Sequence, residues 1–192
     1  MASTIQQIET PKIARALDTS GNNNHGQIYS GRALEFDGVT DYLDLGATNT
    51  FVDFSAETTQ ANRAWTIVCW VKPYVITTES NSMNLIGGGG GSTSYLGLRG
   101  AGANVNKLVI RDIGAGAWRV SNTALNINTW YRAVWVFDGD TTVSFYLNGV
   151  ADGTGEIDNT GSYADMALRY IGALNDNSRF WDGALADLQL WQ

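Results

Sequence analysis

Cysteine, histidine and proline are scarce in this 192-residue sequence, which has one cysteine, one histidine and two prolines. A single cysteine excludes an intrachain disulfide framework of the kind that holds small secreted domains together. Cys69 alternates with Ile67 and Val71, so we expect it to be a small buried apolar residue. His25 lies in a polar segment and would be the one base available to a serine or cysteine triad. We therefore expect that the protein is not an enzyme.

Positive charge is also sparse, with 12 Lys and Arg against 19 Asp and Glu, and a formal net charge of −7. The basic residues are scattered along the sequence, whereas proteins that bind a phosphate backbone cluster them, so we expect no nucleic-acid partner. No stretch approaches the roughly 20 apolar residues that span a bilayer, and residues 1–17 lack a signal-peptide pattern. We expect that the protein is made in the cytoplasm and that it does not insert into a membrane. The absence of any Asn-x-Ser/Thr site favours a bacterial or viral origin.

Residues 130–149 contain alternating apolar residues and turn residues in a pattern that is typical of antiparallel strands. Alternate positions place four apolar residues on one face of a strand: Tyr131, Ala133, Trp135 and Phe137. Asp138-Gly139-Asp140 supplies a polar turn, and Asn148-Gly149 is a preferred pair for a two-residue hairpin because both positions then need φ > 0. The pattern predicts a β-meander.

Further segments with the same alternation are typical of strands. They are residues 33–36, 42–45, 65–72, 83–86, 95–98, 107–111, 118–121, 168–172 and 185–191. No window has a convincing helical stripe, and glycine-containing turn signals recur every ten residues or so. The sequence predicts an all-β sandwich or barrel in a single domain.

Seven segments stand in a fixed order along the chain. They are DTSGNNNHG at 18–26, GRALEFDGVTDYLDLG at 31–46, WTIVCWVKP at 65–73, WYRAVWVFDG at 130–139, VSFYLNG at 143–149, YIGAL at 170–174 and FWDGALADLQLW at 180–191. In this order they resemble the laminin G-like, concanavalin A-like jelly-roll superfamily. The resemblance implies an antiparallel two-sheet jelly-roll sandwich over residues 18–192, usually used for binding, with residues 1–17 as an N-terminal arm.

Catalytic carboxylates are not indicated by the sequence. Glucanases that share this fold carry Glu-x-Asp-x-x-Glu on one strand, because an acid and a nucleophile must flank the same bond. The nearest match begins at Glu35 and Asp37 but ends in Thr40 instead of an acid, and it falls outside the segment that resembles the catalytic strand. We expect no catalytic residues.

The five glycines of residues 87–91 invite two other interpretations. A phosphate-binding loop needs Lys and Ser/Thr followed by a helix, but residues 95–98 here are typical of a strand. Composition alone also allows a domain linker. Because the resemblance continues across the run, we expect a hairpin loop of the kind that carries contacts.

A calcium site is one hypothesis for the acidic residues. Many relatives in the superfamily hold calcium at the rim of the sandwich, and hard cations need several oxygen ligands. The positions that resemble the ligand-bearing ones are Asp37, Asp41 and Asp187, although Ala186 stands where the family often has a second acid. The alternative is that Asp37 and Asp41 cap their own turns and Asp187 is a solvated edge residue.

The many aromatic residues raise the question of sugar binding, because a flat ring stacks on the apolar face of a pyranose. Trp65, Trp135, Phe137 and Phe145 are in phase with aliphatic neighbours, so we expect them in the core. Four others lie beside polar residues at predicted loops or strand ends, and we expect ligand contacts there: Trp118, Tyr163, Phe180 and Trp181. Ordinary loop packing is the alternative.

Three functional hypotheses follow. The first is a non-catalytic, outward-facing virion component, such as a capsid decoration or fibre module of a phage. Its arm, through Ile5, Ile8 and Ile13, would contact a shell protein or copies of the chain, and its loops would contact host-surface glycans. The second is a free bacterial carbohydrate-binding module that depends on calcium. The third is a glycoside hydrolase, which needs two carboxylates about 5 to 10 Å apart.

Overall fold

Antiparallel β-strands form both units into which the chain divides, residues 1–32 and 33–192. The structure is a computed structural model that describes residues 14–16, 26–28, 33–46, 64–75, 82–88, 95–100, 102–111, 118–156, 168–174 and 178–191. Within these ranges no helix is long and apolar enough to cross a membrane.

The first unit contains a two-stranded sheet. Strand β1 (Ala14–Ala16) pairs with β2 (Gly26–Ile28), with Ala14 opposite Ile28 and Ala16 opposite Gly26. The last residues of the predicted arm therefore form a strand. Ile5, Ile8 and Ile13 lie outside the described residues, and the boundary between residues 17 and 18 stays a prediction.

The second unit is built from two six-stranded antiparallel sheets. The first sheet has the order β12 (Val150–Glu156), β11 (Thr142–Leu147), β10 (Tyr131–Phe137), β5 (Trp65–Pro73), β14 (Asp182–Trp191) and β3 (Leu34–Asp37). The second sheet has the order β4 (Leu43–Asp44), β13 (Leu168–Ile171), β6 (Met83–Gly88), β7 (Tyr95–Leu98), β8 (Lys107–Arg111) and β9 (Trp118–Ala124). A 3-10 turn (Gly102–Asn104) precedes β8.

The hydrophobic core lies between the two sheets and is supplied by alternate residues of their strands. In β10 the positions alternate between buried and exposed or half-buried, as the sequence predicts. Trp135 lies opposite Ile67 of β5 and is 1% exposed. The expected core positions are confirmed, since Trp65, Trp135, Phe137, Phe145 and Cys69 are all buried. The two-sheet jelly-roll prediction is confirmed by this architecture.

The two predicted turns have the expected backbone. Asn148 and Gly149 both have positive φ, at 53° and 83°, which is the two-residue hairpin geometry. Gly139 has φ 85°, and the Asp138 carboxylate accepts hydrogen bonds from the backbone N–H groups of residues 140, 141 and 142. These turns fix the register of β10, β11 and β12.

Besides β1 and β2, which were not predicted, strands β12 and β6 of the two large sheets differ from the sequence prediction. Strand β12 was not predicted, because Asp152, Gly153 and Gly155 are residues that strands disfavour. It pairs with β11 through a bulge between Ser144 and Tyr146. Strand β6 continues through Gly87 and Gly88, so the glycine run begins inside the sheet and not in a loop.

Candidate ligand-binding face

The second sheet has one face toward the core and one face that carries a separate cluster. Leu96, Leu98, Leu108 and Ile110 point into the core, so the residues that alternate with them point away from it. On this outward face Tyr95, Arg111 and Trp118 are direct neighbours in register across β7, β8 and β9. Tyr95 and Val109 are buried there together with Leu174, and Trp118 and Val120 pack against them.

Three arginines converge on the two aromatic rings of this face. The rings of Tyr95 and Trp118 meet edge to face, with centroids 5.6 Å apart. The Arg99 guanidinium carbon lies 3.5 Å from the Trp118 ring centroid, and that of Arg111 lies 5.0 Å from it. The Arg179 guanidinium carbon lies 5.7 Å from the Tyr95 ring centroid. We call these five residues the arginine–aromatic face.

Arg179 is brought to this face by a short turn after β13. Leu174 and Ser178 form a β-bridge, with N–H to O distances of 2.8 and 3.2 Å in the two directions. Arg179 follows with φ 53°, and its carbonyl accepts a hydrogen bond from the Asn84 N–H at 3.0 Å. The turn therefore returns to β6 and holds Arg179 next to Tyr95.

Gly87 makes room for this turn on β6. A Cβ atom at Gly87 would overlap the Ala173 carbonyl oxygen and would lie 2.8 Å from the Leu174 Cα. No real Cβ atom occupies such a position, so residues 173 and 174 can cross this point of the sheet only over a glycine. The glycine run thus contributes to the site through a close approach of two backbone segments.

Tyr95 is held as a fixed, neutral residue of the face. Its hydroxyl donates to the Ser82 Oγ at 2.6 Å, and both residues are buried. Burial raises the pKa of Tyr95, although the Ser82 hydrogen bond and the positive charges of Arg179, Arg99 and Arg111 act in the opposite direction. That all three arginines act on one phenol is a second indication that their charges converge.

Several buried polar atoms on this face have no hydrogen-bond partner within the described part of the chain. They are Arg99 Nη1, Arg111 Nε, Arg179 Nη1 and both side-chain polar atoms of Asn84. Asn84 lies opposite Gly97, which lies opposite Val109, so its side chain shares this face. A buried donor without a partner costs about 1 to 3 kcal/mol. The three arginines that carry these atoms are themselves half-buried, so the face combines partly exposed cations with donors that no group in the described ranges satisfies.

The four predicted ligand aromatics have different positions. Trp118 belongs to the arginine–aromatic face. Phe180 contacts Tyr42 at a centroid distance of 6.3 Å, and Tyr42 meets Tyr170 edge to face at 5.7 Å. Tyr163 lies outside the described residues. These contacts place Trp118 and Phe180 in separate aromatic groups.

For Trp181 the structure corrects the expectation of a ligand contact. Its side chain is 0% exposed and belongs to the core between the sheets. The physical reason is the period of two that continues into the following strand, β14: Trp181 immediately precedes this strand and is in phase with Leu185, a core residue of it. A ligand on the protein surface does not reach this ring.

Of the three proposed calcium ligands, Asp37 and Asp41 lie in one turn and Asp187 lies apart from them. The Asp37 carboxylate accepts N–H bonds from Val39, Thr40 and Asp41 at 2.7 to 2.9 Å, so it caps its own turn. Asp41 Oδ2 in turn accepts from the Asp37 N–H at 3.2 Å.

Asp187 lies five residues beyond Asp182, the β14 residue that pairs with Asp37, which is roughly 15 Å along a strand. Its carboxylate accepts from Gln189 Nε2 at 2.7 Å. Among the described residues there is no group of three His, Cys, Asp or Glu that could hold a metal. The calcium site stays a prediction.

The Asp37 turn predicts a pH effect on stability. The backbone N–H groups of Thr40, Val39 and Asp41 donate hydrogen bonds to the Asp37 carboxylate and lower the pKa of Asp37 well below its ordinary value of 3.8. A carboxyl whose folded pKa is depressed stabilises the fold above its unfolded pKa, and this contribution is lost as the pH falls below about 4. We expect Asp37→Asn to flatten the loss of unfolding free energy between pH 4 and pH 2, measured by urea denaturation. An equal slope in both proteins would contradict this role of Asp37.

Sequence reasoning missed the three arginines because they are far apart in the chain. Arg111 alternates in phase with Val109 of β8, and Arg99, just after β7, alternates in phase with Tyr95 and Gly97. The sequence therefore indicated that both arginine side chains lie on the same face as these residues. What the sequence did not contain was the register that sets Tyr95, Arg111 and Trp118 side by side. The basic residues are scattered along the sequence, as expected, but the fold brings Arg99, Arg111 and Arg179 to one face.

Solved structures with a similar fold come from several carbohydrate-active proteins. Domain 4 of AbnA, a GH43 extracellular arabinanase from Geobacillus stearothermophilus solved with arabinotriose, is 17% identical, with a TM-score of 0.50, and the match covers 96% of this chain and 77% of that one. A putative carbohydrate binding protein from Bacteroides ovatus is 16% identical with a TM-score of 0.55, covering 92% of this chain and 49% of that one.

The CBM40 of the Ruminococcus gnavus IT-sialidase is another similar structure. Bound to alpha2,3 sialyllactose, it is 15% identical with a TM-score of 0.51, and the match covers 83% of this chain and 90% of that one. At these identities the likeness shows the fold alone. No curated protein matches this chain in sequence.

A family model gives the assignment. The laminin G model described as the concanavalin A-like lectin/glucanases superfamily matches residues 36–192. This range includes all five residues of the arginine–aromatic face and both six-stranded sheets except Leu34 and Glu35 of β3. The resemblance inferred from the seven sequence segments is thereby confirmed. The chain belongs to the concanavalin A-like lectin/glucanase superfamily.

Proposed function

We propose that this protein is a non-catalytic glycan-binding domain whose ligand lies on the arginine–aromatic face. The observation that carries this proposal is the set of buried, unsatisfied donors beside Tyr95 and Trp118. Ligand sites are built from apolar and aromatic side chains with a few convergent polar groups, and this face has both. The glycan ligands named for the similar structures support this class of ligand.

The composition of the face also supports binding without catalysis. In most glycosidase families, hydrolysis of the glycosidic bond uses a pair of carboxylic acids about 5 to 10 Å apart around the bond. The five residues of this face are two aromatics and three arginines, which donate hydrogen bonds but supply neither a general acid nor a nucleophile of that kind. A sugar at this face would be held and released unchanged.

Trp118→Ala tests the proposal directly. Removal of the ring takes away the surface that Arg99, Arg111 and Tyr95 contact, so we expect glycan affinity to fall by about tenfold or more. Binding is first found on a glycan array and then measured by isothermal titration calorimetry.

Trp70→Ala is the matched control, because Trp70 is 39% exposed on the outer side of the first sheet. We expect this variant to bind like the wild type. A ligand that Trp70→Ala abolishes and Trp118→Ala leaves unchanged would place the site on the other sheet and overturn the proposal.

A role in a phage virion, as a capsid decoration or fibre module, is a finer form of the same function. It depends on contacts of residues 1–17 with a shell protein or with further copies of the chain. The isoleucines assigned to this contact lie outside the described residues, so the assembly role stays a prediction. Light scattering of the full chain tests self-assembly: a mass several times 20.8 kDa supports it, and a monomer mass contradicts contact between copies.

A further inference from the structure

We propose that the glycan recognised here is acidic, and that its carboxylate or sulfate group lies among Arg99, Arg111 and Arg179. This inference rests on the proposed function and names the substrate class of the same site. It assigns anion recognition to three residues that are 12 and 68 positions apart in the sequence and that the fold brings together.

The first argument is the accumulation of positive charge. The chain as a whole has a net charge of −7, yet three of its 12 basic residues surround one pair of rings. Among the described residues no carboxylate forms a salt bridge with any of the three, while Arg169 elsewhere in the second sheet does pair with Asp44. Like charges held together repel each other, and an anion between them offsets this cost.

The second argument is the geometry of Arg99 on Trp118. With its guanidinium carbon 3.5 Å from the ring centroid, Arg99 covers one face of the indole. That face is therefore taken by an arginine and does not stack on a sugar ring, which differs from the sequence expectation for Trp118. A guanidinium that lies on an aromatic ring still directs its N–H groups outward in its own plane. Trp118 is thus a positioning residue for the cation.

The third argument is the kind of donor that is unsatisfied. Arg99 Nη1, Arg111 Nε and Arg179 Nη1 are buried atoms without a hydrogen-bond partner in the described ranges. Carboxylates and sulfates offer several acceptor oxygens together with a charge opposite to that of arginine, and they can accept two parallel N–H bonds from one guanidinium. A neutral hydroxyl would accept at most two such bonds and leave the three charges uncompensated.

The charge of the remaining surface limits the size of the anion. Because the rest of the chain is strongly acidic, a long polyanion such as a nucleic acid would be repelled outside the site. An oligosaccharide with one or a few acidic residues would place its charge at the arginines and its uncharged parts elsewhere. This favours acidic sugars within the class of anionic ligands.

The experiment uses the wild-type full chain and a glycan array that contains neutral, carboxylated and sulfated oligosaccharides. Each acidic ligand found is then titrated beside its own neutral counterpart, with the carboxylate reduced to an alcohol or the sulfate removed. The two arms distinguish a carboxylate from a sulfate. We expect an acidic ligand to bind, and its neutral counterpart to bind at least tenfold more weakly.

Arg99→Gln, Arg111→Gln and Arg179→Gln remove each charge in turn, and we expect each to weaken binding of the acidic ligand by about ten- to a hundredfold. Arg132→Gln is the matched control, since Arg132 is an exposed arginine on β10 of the first sheet. Arg111→Lys keeps the charge without the planar donors, and we expect it to restore part of the affinity. Thermal unfolding of each variant verifies the fold.

Three results would overturn the inference. If only neutral glycans bind and binding depends on Trp118, the proposed function stands and the acidic substrate class fails. If an acidic ligand binds all three glutamine variants as tightly as it binds the wild type, the charge is recognised elsewhere and the inference fails. If no glycan of any class binds, the proposed function fails and this inference fails with it.

Discussion

Replacing Gly87 with alanine is expected to lower the free energy of unfolding by about 3 kcal/mol or more and to abolish ligand binding. The added methyl group would collide with the backbone of Ala173 and Leu174, which is not the flexible end of a side chain and cannot move aside alone. The turn that bears Arg179 would be displaced from β6, because it starts at Leu174 and its other end is held to β6 by the hydrogen bond from the Asn84 N–H to the Arg179 carbonyl.

Gly102→Ala is the control for this substitution. Gly102 has φ 63° and nothing within 4 Å of an added Cβ, so we expect it to cost only about 1 kcal/mol, from the backbone conformation alone. Both variants are measured by urea denaturation monitored by tryptophan fluorescence. If Gly87→Ala is as stable as Gly102→Ala, residues 173 and 174 do not pack on β6 as described.

Trp181→Ala is the second substitution with a large expected effect, a loss of about 3 to 5 kcal/mol in unfolding free energy. The ring is completely buried and packs among residues of both sheets, so its removal leaves a large cavity that the surrounding β-sandwich cannot fill. The result would separate a core residue from a ligand contact.

Trp191 provides the comparison, because it is a tryptophan at the end of β14, the strand that follows Trp181, and is 61% exposed. We expect Trp191→Ala to change stability by less than about 1 kcal/mol. Circular dichroism during thermal unfolding measures both variants. Equal melting temperatures for Trp181→Ala and the wild type would show that Trp181 is not a core residue.

Most of the fold was predictable from the apolar–polar alternation of the strands and from the residues of their turns. The alternation from Tyr131 to Phe137 and the turn residues Asn148 and Gly149 each depend on neighbours within a few positions, so sequence alone was sufficient to read them. Strand β12 was not predicted, because its glycines and Asp152 are residues that strands disfavour. In the structure, pairing with β11 overrides this local preference. Trp181 was misread because its polar neighbours were weighed more heavily than its phase with Leu185.

The candidate site was harder to predict because it depends on contacts between strands. Trp118 of β9 was selected from the sequence, but its neighbours come from other strands through the register and not through chain proximity: Tyr95 from β7, Arg99 from just after β7, and Arg111 from β8. Arg179 is positioned by a turn that the Leu174–Ser178 bridge closes. In the sequence, only Gly87 indicates that a second backbone segment crosses β6 there. Such a cluster follows from tertiary structure, so composition suggested scattered charge where the fold concentrates it.

Nuclear magnetic resonance during a ligand titration tests the central claim most directly. The tryptophan indole N–H and arginine Nε–H signals of the wild-type chain are followed while a glycan that binds on the array is added. The account predicts shifts at Trp118, Arg99, Arg111 and Arg179, with Trp70 and Trp191 unchanged. Shifts at Trp70 or Trp191, with Trp118 and the three arginines unchanged, would contradict it and place the ligand on the first sheet.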